Sequence, residues 1–420
     1  MENQNNFKLD LLNVIVQNQA VSFTINHLRD LKYTEDIGKA SVDVEITLTD
    51  SQTGVLSNMF GMENAVLQFS DTKGNTIAVS LVVYEIKNRD VVDGKQTTAT
   101  LRCCNPDITA SAGILISTQF ENKNISDIVS DLLKKVLITR IPIIESDKAV
   151  NNITFVTNYW TPINIIKWLA DKAIYSSKSG KSATAGFLFY QNKEGYNWRG
   201  MDSLVKDEPR FEFVCGVDLT DKQREAGDVI EVDNISVKET SNILKGFNYG
   251  SYTSKVTVFD IGTQSVQDFD FNAYDLYKDI PKLNSGQLPE SYANMDKKPT
   301  RIMTKVMNSK LFNAGEYTKD LTKILSQASF RNTMFFNKSV EVQYVGDFQL
   351  KVGDVVTLKN YIGRDRKLDT VNSGKYIVGK IQRHYISATS SMSTKVTLYN
   401  DSLGTDQDAR TSSLLSPLVK

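Results

Sequence analysis

Two histidines, His27 and His384, are the whole imidazole supply of this 420-residue chain. A Ser-His-Asp or Cys-His site needs an imidazole beside a nucleophile and an orienting acid. Neither histidine stands in a nucleophile-elbow or protease-type motif. Cys103 is the candidate thiol nucleophile, but Cys104 follows it directly, and zinc ligands want short paired spacings that an adjacent pair lacks. With Cys215 the count is three, which does not read as a disulfide framework. Neighbours on a strand point to opposite faces, so Cys103 and Cys104 are poor partners for each other. All three read as buried thiols made in a reducing cytoplasm.

Gly180-Lys181-Ser182 has the end of a phosphate-binding loop, but Tyr175 occupies the place of the loop's first glycine. A predicted helix precedes these residues and a strand follows, the reverse of the order that aims a helix N-terminus at phosphate. Glycoside hydrolysis needs two carboxylates roughly 5–10 Å apart. Asp268 and Asp270 share a strand face, yet with 49 acidic residues such a pair always exists on paper. Tyr376, Arg383, His384 and Tyr385 bring aromatic and basic side chains together, as a nucleic-acid-binding barrel would; they read as core and edge residues of one strand. Trp168 lies beside an apolar helix stripe and reads as packing, Trp160 precedes a helix start as a staple, and Trp198 falls in the same region. No catalytic, cofactor-binding or metal-ligating residue is assigned, no cofactor is expected, and the chain reads as not an enzyme.

The elements around these residues are mostly strands. Residues 40–48 alternate, with Val42, Val44, Ile46 and Leu48 on one face and Asp43, Glu45 and Thr47 on the other, the period of a half-buried strand. Residues 8–16, 65–69, 75–86 and 97–104 complete a first β set, and Asp71-Thr72-Lys73-Gly74 suits a hairpin turn. The pattern then becomes helical over 124–137, where Ile125, Ile128, Val129, Leu132, Leu133 and Val136 make one stripe and Asn124 can cap it. A second helix starts at Thr161-Pro162 and is predicted to run through Ile174; a hairpin over 186–199 follows. Strands return at 254–261, 266–271, 339–345, 354–358, 374–385 and 394–399, with a helix near 317–328. Residues 279–300 hold three prolines and read as a long exposed loop.

The expected fold class is therefore mainly β with an α/β middle region, two β-barrel-like domains flanking a smaller α+β domain. The proposed boundaries are 1–105, 106–240 and 241–405, with the 279–300 loop inserted in the last and a flexible tail over 406–420. Lys plus Arg and Asp plus Glu are 49 each, which gives no basic surplus for nucleic acid or anionic lipid. No apolar run is long enough for a membrane-spanning helix, and the polar start over residues 1–7 argues against a signal peptide.

Several stretches, taken in order, resemble the baseplate hub family of contractile-tailed phages, whose relatives include the VgrG spikes of type VI secretion. They are Lys32-Tyr33-Thr34-Glu35-Asp36-Ile37, residues 42–48, Asp50-Ser51 and Gly61-Met62-Glu63; Thr161-Pro162 through Trp168-Leu169-Ala170; Gly186-Phe187-Leu188-Phe189-Tyr190 through Asp202-Ser203-Leu204; Asn248-Tyr249-Gly250-Ser251, residues 256–260 and Phe269-Asp270-Phe271; Val345-Gly346-Asp347; Val352-Gly353-Asp354-Val355-Val356; Ser373-Gly374-Lys375-Tyr376-Ile377-Val378; and residues 396–403. The resemblance runs from about residue 30 to 403; residues 279–300 and those after 404 match nothing in it.

The resemblance implies a virion protein assembled in the host cytoplasm: a homotrimeric hub whose three chains present six similar barrel units, a symmetry adapter between a six-fold tail tube and a three-fold central spike. Its implied partners are the tube and spike proteins and, beyond them, tape-measure and baseplate wedge proteins. DNA would pass through without specific binding, which zero net charge suits, and no membrane insertion is expected. The rival readings are a tail-associated peptidoglycan hydrolase and a nucleic-acid-binding barrel protein.

Overall fold

The computed structural model describes residues 6–51, 54–92, 96–176, 183–217, 227–239, 248, 253–272, 280–284, 301–311, 328, 330–336 and 338–402. The architecture is mainly β with small helical parts, as the residue patterns imply. Gly180-Lys181-Ser182, Tyr249-Gly250-Ser251, the helix read near 317–328 except residue 328, the tail after 402, and all of the 279–300 loop but 280–284 lie outside the described residues.

Alternation builds the first sheet. Lys8–Val16, Gln19–Ser22, Leu28–Asp36, Asp43–Asp50, Asn64–Ser70, Thr76–Val92 and Gln96–Cys104 pair antiparallel. Their inward residues, among them Leu31, Tyr33, Val44, Ile46, Leu67, Phe69 and Leu101, form one core. The Asn64–Ser70/Thr76–Val92 hairpin turns where predicted. The Asp71 carboxylate accepts the N–H groups of Lys73 (3.0 Å) and Asn75 (2.8 Å), the side-chain-to-backbone bonding that makes Asp a turn residue.

A second core holds the middle region. Asn124 caps Ile125–Asp131 by accepting the Ser126 N–H, and the stripe continues into a single π-type turn over Leu132–Val136. Pro162–Ala170 starts at the predicted proline, but Thr161 makes no side-chain cap bond. The helix also stops short of the prediction: Ala173 and Ile174 are buried, and Ile174–Ser176 is a strand. Burial alone at those positions mimics a continued helical stripe. Phe187–Gln191 and Tyr196–Gly200 form the expected hairpin, and Ile143–Ser146 adds to it in parallel. Trp198 is buried, and Trp160 stands edge-on to Trp168 at 5.4 Å.

The third core gathers Lys338–Val345, Val355–Ile362, Gly374–Ile386 and Ser391–Asn400 with Phe211–Cys215 and Asn234–Glu239. Its sheet and the first are continuous, because Leu28–Asp36 pairs antiparallel with Gly374–Ile386, Tyr33 opposite Arg383. A separate sheet places Thr253–Asp260 between Ser265–Asn272 and Arg301–Met307. No helix among the described residues is long and apolar enough to cross a membrane.

Candidate functional site at the junction of the three cores

The segment 346–354, between two strands of the third core, has no regular structure, so its backbone groups must find partners elsewhere. It finds them in all three cores. From the first, Asp71 Oδ2 accepts the Phe348 N–H at 3.0 Å and Glu35 Oε2 accepts the Val352 N–H at 3.1 Å. From the middle region, Lys193 donates to the carbonyls of Phe348 and Gln349, and Asn192 donates to that of Val352. From the third, Arg383 donates to the Leu350 carbonyl at 2.7 Å.

The apolar residues of the segment are divided in the same way. Phe348 packs in the first core, at 5.4 Å from the Phe69 ring, whereas Leu350 and Val352 pack in the third. Gly353 is in the left-handed region with φ 95°, and a Cβ there would stand 2.2 Å from the Tyr190 hydroxyl of the middle region. Glycine is required by both the backbone conformation and the close approach.

Glu35 and Arg383 form the charged centre. Both side chains are fully buried, 3.2 Å apart, and the guanidinium also lies 5.5 Å from the centre of the Phe348 ring and 5.9 Å from that of Tyr33. Burial pushes the Asp354 carboxyl up to about 6, against the lowering effect of the Lys351 N–H, Arg210, Lys351 and Lys193. Burial also brings the Lys193 ammonium down to about 8, with Arg383 adding repulsion. Glu35, Asp71, Asn192, Lys193 and Arg383 all bond backbone groups of the segment, so the arrangement ties it to all three cores at once.

A second charged cluster ties down residues 280–284. Buried Arg331 donates to Asp202 (2.8 Å), Asp401 (2.7 Å) and the Pro281 carbonyl (2.9 Å), while Asp401 accepts the Leu283 N–H at 3.1 Å.

The residues weighed for chemistry are scattered. Cys103 is buried and its thiol is pushed up to about 12 by burial. His27 is half-buried with its Nδ1 2.9 Å from the Thr24 hydroxyl, and His384 meets Asp30 at 2.6 Å. Asp268 is on the surface beside Lys255 at 3.4 Å; bonding from Thr257 and Lys255 lowers its carboxyl, the opposite of what a general acid needs. Tyr376, Arg383 and Tyr385 are buried, leaving no stacking platform there. Among the described residues no group of three metal-ligating side chains occurs. Sequence reading missed the junction because its parts, residues 35, 71, 192, 193, 353 and 383, are distant in the chain; several stand in stretches singled out separately, and nothing local joins them.

No protein-family model matches the sequence, and neither does any curated protein. Solved structures do match. The 43 kDa tail protein of prophage MuSo2 from Shewanella oneidensis is 11% identical with a TM-score of 0.55, over 94% of this chain and 100% of that one. A tail protein from Neisseria meningitidis MC58 is 10% identical with a TM-score of 0.54, over 94% and 97%. A chain of the lidded PdpA–VgrG complex of Francisella is 10% identical with a TM-score of 0.50, over 96% of this chain and 53% of that one. The likeness spans almost the whole chain. The chain has the fold of these two tail proteins, which accords with its resemblance to baseplate hubs.

Proposed function

We propose that the chain is a structural subunit of a phage tail tip, the central hub of a baseplate, and that it acts without catalysis. Three copies would close into a collar joining a six-fold tube to a three-fold spike, with DNA passing through the middle. Residues 1–105 and 241–405 would supply the two barrel-like units, the second completed by Phe211–Cys215 and Asn234–Glu239, and the rest of 106–240 the smaller unit between them. The observation that carries this reading is the continuous sheet across Leu28–Asp36 and Gly374–Ile386, locked by the 346–354 junction. A symmetry adapter needs two sheet units held in one fixed relation, since any hinge between them would lose the six-fold pattern of contacts. The fold likeness to tail proteins over 94% of the chain supports the same reading. Zero formal net charge suits a conduit that does not retain phosphate.

Analytical ultracentrifugation of the purified chain, alone and with a purified phage tail tube protein, tests this. A trimer that co-sediments with tube protein is expected. A chain that stays monomeric at micromolar concentration and ignores the tube protein contradicts the reading, and lysis of peptidoglycan by the chain would favour the hydrolase instead.

A further inference from the structure

Two surface features of this chain are chemically complementary. The first is the outer face of the sheet formed by Thr253–Asp260, Ser265–Asn272 and Arg301–Met307. Phe259 stands in register with Val266 on one side and Val306 on the other, and Lys255 with Asp270 and Ile302. Cross-strand partners share a face, so these residues with Asp268 form one surface. The opposite face buries Val256 and Val258, while Phe259, Val266, Val306 and Ile302 are exposed, the last at 75%. Together they show on the order of 400 Å² of apolar surface, the size of the largest, often functional, patch on a monomer. Asp268 is paired with Lys255 at 3.4 Å and Asp270 stands beside them, which leaves this face a net negative charge of one carboxylate.

The second feature is the hairpin that pairs Ile362 with Lys367 and Tyr361 with Leu368. Residues 362–368 are all exposed. They carry Arg364, Arg366 and Lys367 against the single acid Asp365, and they show Ile362 and Leu368 beside these charges. In a chain of no net charge, this is a basic tip with an apolar flank.

We infer that the hairpin over 362–368 of one copy docks on the Phe259/Val266/Val306 face of the next, Arg364 and Arg366 meeting Asp268 and Asp270 while Ile362 and Leu368 cover the apolar row. The occupant is a second copy because one sequence carries both halves: a basic, apolar-edged projection and an acidic, apolar face. Contacts between two different surfaces of identical chains are heterologous and close into rings or grow into filaments. This inference rests on the proposed homotrimer and supplies the surfaces that build it. The charged pairs would set register and choice of partner, and the apolar row would supply most of the affinity.

Charge reversal tests it in the full chain by sedimentation across a concentration series. Arg364→Glu with Arg366→Glu should weaken self-association about tenfold or more, and Asp268→Lys with Asp270→Lys should do the same. Combining all four should restore affinity to within about threefold of the natural chain, a rescue that misfolding cannot mimic. Val306→Ser, on a solvent-facing position, should weaken association while keeping the far-UV spectrum of the folded chain. If the natural chain associates and the reversals leave its affinity unchanged, or if the fourfold variant is no tighter than either double variant, the inference is overturned while the trimer reading stands. If the natural chain is monomeric throughout, both fall.

Discussion

Glu35 and Arg383 lie 348 positions apart in sequence and 3.2 Å apart in space, both wholly buried where the first sheet continues into the third core. Glu35 divides its oxygens, one to Arg383 and one to the Val352 N–H; Arg383 divides its nitrogens between Glu35 and the Leu350 carbonyl. Together they clamp a segment without secondary structure between two sheets. Such a pair is conformational hardware: desolvating two charges costs about as much as their attraction returns, but removing one leaves the other stranded.

Arg383→Met and Glu35→Gln should therefore each destabilise by about 3–5 kcal/mol. The double variant should cost clearly less than the sum, because neither charge is then stranded. Urea unfolding of the four proteins of this cycle measures the coupling, and additive losses would show that the two residues act independently.

Asp354 gives a pH dependence of defined sign. Its carboxyl titrates near 6 when folded, against 3.8 as a free group, because burial disfavours the charge. The folded state thus binds this proton more tightly, so this residue's penalty is full above pH 6 and is relieved as pH falls from 6 towards 3.8. Asn at this position keeps an acceptor for the Lys351 N–H, which bonds to Asp354 Oδ2 at 3.0 Å. Asp354→Asn should stabilise by on the order of 1–3 kcal/mol at pH 7.5, with the gain shrinking by pH 5. Differential Tm across pH reads this directly.

Gly353→Ala should cost roughly 2 kcal/mol or more, since it adds a Cβ at positive φ and drives it against the Tyr190 hydroxyl. Tyr190→Phe removes the nearest clashing atom and should recover part of the loss, leaving the backbone strain. A Gly353→Ala variant as stable as the natural protein would mean that this approach is looser than described.

The thiol of Cys103, buried and pushed up to about 12, should resist an aromatic disulfide reagent at pH 8 until denaturant is added. Cys104, pushed up to about 11 by burial and by Asp43, should also react slowly. Cys215, partly exposed on the Phe211–Cys215 strand, should react first. Mass spectrometry of the partly labelled protein identifies the order.

Local pattern explains which parts of this fold could be read ahead. The alternation of Val42, Val44, Ile46 and Leu48 specifies a strand because every second residue must leave water, and all four are buried. Asn124 announces a helix start because its side chain can take an orphan N–H there, and it does. The pairing of Leu28–Asp36 with Gly374–Ile386 was not legible, since nothing near Tyr33 records that Arg383 will face it. Phe211–Cys215 went unread, and its parallel pairing with Val355–Ile362 depends on a segment more than a hundred positions away. The Arg301–Met307 strand went unread beside a proline-rich stretch, although its parallel neighbour Thr253–Asp260 was anticipated. The junction is the extreme case, a site assembled almost wholly from long-range partners.

Images of the purified assembly viewed along its axis test the central claim most directly. The account predicts a closed ring of three chains around an open pore, with two similar lobes per chain giving a near six-fold outline. A single subunit, or an assembly with neither three-fold symmetry nor a pore, would contradict it.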